Sequence, residues 1–88
     1  MTDSWFVYVL RCADQSLYTG VTTDPARRLS EHNGLDGSKK GARYTRTRRP
    51  VVLVYQESCT DRRSACQREY AIKQLSKSAK EKLILMPN

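Results

Sequence analysis

The stretch WFVYVLRCADQSLYTGVT, residues 5–22, carries the reading of the fold. Its first seven residues, Trp5 to Arg11, are largely β-branched or aromatic, which is the composition of an extended strand. Successive side chains of a strand point to opposite faces. Here both faces are apolar, so this strand is expected at the centre of its sheet. Cys12 to Ser16 supplies a turn, and Leu17 to Thr22 returns as a second strand, making a hairpin. Loop length decides which residues meet. A loop of three residues (Ala13–Gln15) or five (Cys12–Ser16) puts Tyr8, Leu10, Tyr18 and Gly20 on one face, whereas two or four would separate the tyrosines. Gly20 sits between strand formers and marks a place where a ligand or another backbone comes close.

Beyond the hairpin, Asp24-Pro25 predicts a helix start, with Asp as N-cap and Pro at the first helical position. That helix runs to about Asn33, where Gly34 stops it. Gly34 to Pro50 reads as a basic loop: Lys39, Lys40, Arg43, Arg46, Arg48 and Arg49 occur with no acid between Lys39 and Arg49. Val51 to Tyr55 (VVLVY) is the third strand. Asp61 or Thr60 caps a helix ending near Leu75, and a last helix, Lys77 to Leu85, closes on Met86-Pro87. The expected fold is α+β, a small three-stranded antiparallel sheet flanked by helices in the order β-β-α-β-α-α. With 88 residues the chain makes one domain, residues 1–88.

Composition excludes several classes. No run approaches the roughly 20 apolar residues of a membrane span, and Met1 to Asp14 shows no secretory signal. Three cysteines, Cys12, Cys59 and Cys66, lack CxxC spacing, and one histidine, His32, stands with them. A disulfide framework or a zinc site is therefore not expected, and reduced, mostly buried thiols point to a cytoplasmic protein. Sixteen Lys+Arg against nine Asp+Glu give a net charge of +7, which suits a polyanionic partner such as nucleic acid.

Two positions resist a purely structural account. On the Asp61–Leu75 helix, Ala65, Ile72, Leu75 and Ala71 form the apolar arc, and Glu69 falls inside or at its edge. A carboxylate there needs a partner, either one of the many arginines or a divalent cation such as Mg²⁺ or Mn²⁺. Arg28 and His32, four residues apart, share one face of the Pro25–Asn33 helix. Left to themselves they read as a solvated cationic face, a role for which Arg27, about 100° away, is the better candidate. Each tyrosine, taken alone, reads as core filling.

Together these residues resemble a known set. Phe6-Val7-Tyr8, then Tyr18-Thr19-Gly20, with Arg28, His32 and a later helical Glu69, follows Tyr-x9-Tyr-x-Gly-x7-Arg-x3-His. This pattern resembles the GIY-YIG nuclease superfamily over essentially the whole chain. TGVTTDPARRLSEHN and KGARYTRTRRPVVLVY look most like its small single-domain bacterial members. They are also similar to the catalytic subunit of the eukaryotic structure-selective junction nuclease. The chain departs in having Phe-Val-Tyr for Gly-Ile-Tyr, and Val21 where several members carry lysine. It also has no room for the DNA-recognition domains that most members append.

The resemblance implies a metal-dependent DNA endonuclease, structure-selective or weakly sequence-selective, of the kind used in DNA repair or recombination. Tyr8, Tyr18, Arg28, His32 and Glu69 are its expected catalytic residues, with Glu69 the ligand of Mg²⁺ or Mn²⁺. Either tyrosine can be the base, with Tyr8 favoured, and nearby cations are expected to lower its pKa. Gly20, Arg27, Lys39, Lys40, Arg43, Tyr44, Arg46, Arg48 and Arg49 form the expected nucleic-acid face, with a solvated loop as the alternative reading of Lys39–Arg49. DNA is the expected partner and RNA stays open. So do a catalytically idle nucleic-acid-binding module and a subunit active only with a protein partner. Oligomeric state is not legible in the sequence.

Overall fold

The computed structural model describes residues 4–34 and 42–86. Strands β1 (Trp5–Arg11), β2 (Leu17–Thr22) and β3 (Val52–Cys59) form one antiparallel sheet in the order β2-β1-β3. The apolar strand lies in the middle, as its two-sided pattern requires: Val7 and Val9 are buried on one face, Tyr8 and Leu10 on the other. Five residues connect β1 to β2, so the loop is odd. Tyr8 faces Gly20 and Leu10 faces Tyr18 across the ladder, which brings both tyrosines to one side.

Helix α1 (Pro25–Asn33) begins where expected. The Asp24 carboxylate accepts the Arg27 N–H at 3.1 Å, and Gly34 ends the helix at φ 67°, in the left-handed region. The Gly34–Pro50 segment is not a plain loop: Arg43–Arg46 forms a one-turn helix, α2. The third strand also differs from expectation, starting at Val52 and running on to Cys59. Its second half was hidden by polar residues. As an edge strand, β3 needs only alternate apolar positions, and the Glu57 carboxylate accepts from the Tyr55 hydroxyl at 2.8 Å and from Arg68 at 3.0 Å. Opposite β1 the register jumps from Tyr55 to Leu53, leaving Val54 as a bulge.

Helices α3 (Arg62–Lys73) and α4 (Lys77–Leu85) cover the Val7/Val9 face, while α1 covers the Tyr8/Leu10 face through Leu29. The apolar arc of α3 is narrower than the sequence suggests. Ala65 and Ile72 are fully buried, but Ala71 and Leu75 are exposed. A small domain has apolar surface to cover only under the middle of that helix. Arg11 forks onto Glu81 with bonds of 2.8 and 2.6 Å, tying α4 to the central strand. All three cysteines are reduced; Cys12 is buried, and Cys59 and Cys66 are half-buried.

Candidate active site

A buried polar row crosses the Tyr8/Leu10 face. The Tyr8 hydroxyl lies 2.8 Å from Nε2 of His32, and Nδ1 of His32 lies 2.8 Å from the Thr45 hydroxyl oxygen. His32 and Thr45 are wholly inaccessible to solvent, and Tyr8 nearly so. Arg28 and His32 are therefore no solvated cationic face: α1 turns both inward. Three contacts fix the end of α1. Asn33 exchanges two bonds with the Val51 backbone at 2.9 and 2.8 Å, Arg49 donates to the His32 carbonyl at 2.6 Å, and Gly34 lies under the Arg49 guanidinium.

Burial dictates the protonation states. Removal from water, reinforced by the Arg28 cation, holds the His32 pKa down at about 4. Burial pushes the Tyr8 phenol up to about 12, with Tyr18 and Glu69 adding to the rise and Arg28 opposing it. Of the cations expected to acidify the phenol, Arg28 does not suffice by itself: desolvation outweighs it. At neutral pH the pair is a phenol beside a neutral imidazole.

Arg28 serves two neighbours. Its positive charge opposes the rise of the Tyr8 phenol's pKa, and its guanidinium donates to Glu31 at 2.9 Å. Arg27 stands mostly in solvent, 3.9 Å from the same carboxylate. Glu31 is one of three residues that sequence reasoning missed, with Asn33 and Thr45. Each is polar and carries no motif, and the one signal available was the position of Glu31 and Asn33 beside His32.

Tyr18 completes the cluster. Its ring centroid is 5.1 Å from that of His32, edge-on, and 6.4 Å from that of Tyr8. Tyr44 stacks on it at 6.0 Å, and the Arg48 guanidinium covers Tyr44 at 3.9 Å. Arg48 is also held by Asp14 at 3.0 Å and by the Tyr44 carbonyl at 2.9 Å. Of the basic set, Arg48 and Arg49 hydrogen-bond within the protein, and Arg43, Arg46 and Arg49 are exposed. Lys39 and Lys40 lie outside the described residues. Gly20 is buried, and the close approach that it permits is that of Tyr8. A Cβ there would meet the phenol oxygen at 2.5 Å.

Glu69 arrives from the other side of the sheet, on α3, half-buried and 3.2 Å from Lys73. Its charge is nonetheless felt at the Tyr8 phenol. Among the described residues no three His, Cys, Asp or Glu side chains gather to cage a metal ion. A single carboxylate fits a hydrated Mg²⁺ or Mn²⁺, which keeps most of its water and takes one or two protein oxygens. Two surface grooves among the described residues run along β3, lined by Phe6 and residues from Leu53 to Ser58, and none of the five candidate residues lines them.

A family model for the GIY-YIG catalytic domain matches residues 4–82. The chain belongs to the GIY-YIG family, a family of nuclease domains. Within it the chain is similar to the UPF0213 proteins. It is 62% identical over 81 residues to one from Desulfotalea psychrophila, covering 92% of this chain and 71% of that one. It is 51% identical over 79 residues to one from Staphylococcus haemolyticus, covering 90% and 92%. The solution NMR structure of a UPF0213 protein from Bacillus halodurans superposes with a TM-score of 0.57 at 43% identity, covering 92% of this chain and 82% of that one. A structure from E. faecalis gives 0.59 at 42% identity, covering 93% and 84%. Among the described residues no helix is long and apolar enough to cross a membrane.

Proposed function

We propose that this chain is a metal-dependent endonuclease that hydrolyses phosphodiester bonds of DNA. The observation that carries the reading is the buried 2.8 Å hydrogen bond between the Tyr8 hydroxyl and Nε2 of His32, with the Arg28 cation acting on the same phenol. A phenol with a pKa of about 12 is a poor base alone. Coupled to a bare imidazole nitrogen it becomes a relay: the phenol oxygen takes a proton from the attacking water while its own proton passes to His32. No free phenolate forms; the lowered pKa makes His32 a weak terminal acceptor, and the negative charge of a bound phosphate beside it offsets that.

Arg28, always charged and planar, donates to the non-bridging phosphoryl oxygens as negative charge builds there. It leaves Glu31 to do so, and Glu31 holds the guanidinium in register beforehand. Tyr18, half-exposed at the edge of His32, positions water or phosphate. Glu69 holds the divalent cation, which supplies charge neutralisation at the leaving oxygen when bound. Arg43 and Arg46 offer phosphate contacts that position the duplex without reading bases, which supports structural over sequence selectivity and a place in DNA repair or recombination.

The test is direct. Purified protein is incubated with nicked, flapped, branched and single-stranded DNA, and with RNA, under Mg²⁺, Mn²⁺ or EDTA. Cleavage of at least one DNA form with metal and none with EDTA is expected. Binding without turnover on every substrate would instead establish an idle nucleic-acid-binding module.

A further inference from the structure

The relay runs only if the ring nitrogen of His32 that faces Tyr8 is bare, and the opposite end of the ring decides this. Nδ1 lies 2.8 Å from the Thr45 hydroxyl oxygen, which in turn lies 2.9 Å from the Ala42 carbonyl oxygen. Thr45 is the third residue of α2, and bonding from a helical threonine hydroxyl to the carbonyl three residues back is a local habit of that side chain. A carbonyl oxygen only accepts. The hydroxyl hydrogen of Thr45 is therefore committed to Ala42, and towards His32 the hydroxyl oxygen only accepts as well. Nδ1 must donate, which leaves Nε2 bare and Tyr8 the donor. The Ala42 N–H, 3.4 Å from Nδ1, would favour the reverse arrangement. It is the longest contact of the set, and the shorter bond to Thr45 at 2.8 Å outweighs it.

We propose that Thr45 is a positioning residue of this site: its hydroxyl holds His32 in the tautomer protonated on Nδ1 and so readies Nε2 to receive the Tyr8 proton. The proposal rests on the nuclease reading of the same site and extends it to a residue in the one-turn helix of the basic segment. Thr45 is fully buried, so no water competes for its hydroxyl. Its position also accounts for the presence of α2 in a segment otherwise devoted to charge: the turn delivers one neutral hydroxyl to the back of the imidazole.

Thr45→Val keeps the shape and removes the hydroxyl, while Thr45→Ser keeps the hydroxyl. His32 is the only histidine in the sequence, so its ring ¹⁵N shifts report the tautomer without assignment ambiguity. Wild type and Thr45→Ser are expected to be protonated on Nδ1, and Thr45→Val is expected to shift towards Nε2. On a cleavable DNA substrate Thr45→Val should lose at least about tenfold in kcat with KM within about twofold, and Thr45→Ser should restore it. Mis-set tautomers cost more than that in serine-protease triads. Three results would overturn the proposal. They are a wild-type ring protonated on Nε2, a valine variant with unchanged tautomer, and a shifted tautomer with undiminished kcat. Should wild type cleave nothing, the nuclease reading falls, and the ring spectra still decide what Thr45 does.

Discussion

Acidifying the protein tests the buried imidazole by its effect on stability. In the unfolded chain His32 titrates at its ordinary 6.5, and in the folded protein at about 4. Between those values the unfolded state binds a proton that the folded state refuses, so stability is full above pH 6.5 and falls as the pH drops towards 4. His32 is completely inaccessible, facing Arg28 and Glu31 on its own helix, Tyr8 and Tyr18 on the sheet, Thr45 on α2, and the nearby Arg49. Integrating one proton at 1.36 kcal/mol per pH unit gives a loss of about 2 kcal/mol between pH 7 and pH 5, and about 3 kcal/mol by pH 4. The upper window is the clean one, since the carboxylates that folding acidifies, Asp14, Asp61 and Glu81, titrate below it. Urea denaturation at pH 7, 6 and 5, for wild type and His32→Gln, isolates the effect. Wild type should lose its roughly 2 kcal/mol, and the variant, less stable throughout, should stay flat. A wild-type change below about 0.5 kcal/mol, or an NMR titration of His32 near 6.5, would refute the buried neutral imidazole and the relay with it.

Three other perturbations probe the remaining parts. Glu69→Ala and Arg28→Ala should each lower the cleavage rate at least about 10²-fold while the far-UV circular dichroism spectrum is retained, as for removal of a single stabilising donor; near wild-type cleavage by Glu69→Ala would remove Glu69 from metal binding. Gly20→Ala places a methyl 2.5 Å from the Tyr8 oxygen and 2.7 Å from its ring carbon. It should cost about 1–3 kcal/mol by overpacking, read as a fall in Tm, and should displace the phenol from His32. DNA binding should weaken steeply with salt, and Arg43→Ala or Arg46→Ala should each reduce the log–log salt slope by about one; fluorescence anisotropy between 50 and 200 mM salt measures it.

The hairpin, the helix boundaries and the order of elements were legible because local chemistry specifies them. Asp24-Pro25 and Gly34 bound α1 through capping and a left-handed turn, and the two-sided apolar run of β1 left it nowhere but the centre. Periodicity placed Tyr8 with Tyr18 and Arg28 with His32, but only the family resemblance joined the two pairs into one site. Thr45 was not legible. Nothing in KKGARYTRTRR separates one threonine from the charge around it, and its role exists only once α2 folds against α1. The ends of β3 were hidden for a related reason, because Glu57 is tolerated through Tyr55 and Arg68, and only the packed sheet supplies them.

Sequence alone therefore determined the local elements and, through the family pattern, the candidate residues placed on them, because caps, turns and periodicity act over a few residues. Tertiary structure decided their states. Whether His32 is charged, whether Tyr8 is acidified, whether Arg48 and Arg49 find partners within the protein, and from which side Glu69 approaches all depend on burial and on neighbours distant in the chain. Desolvation and close packing arise only when the sheet and its two helical layers come together.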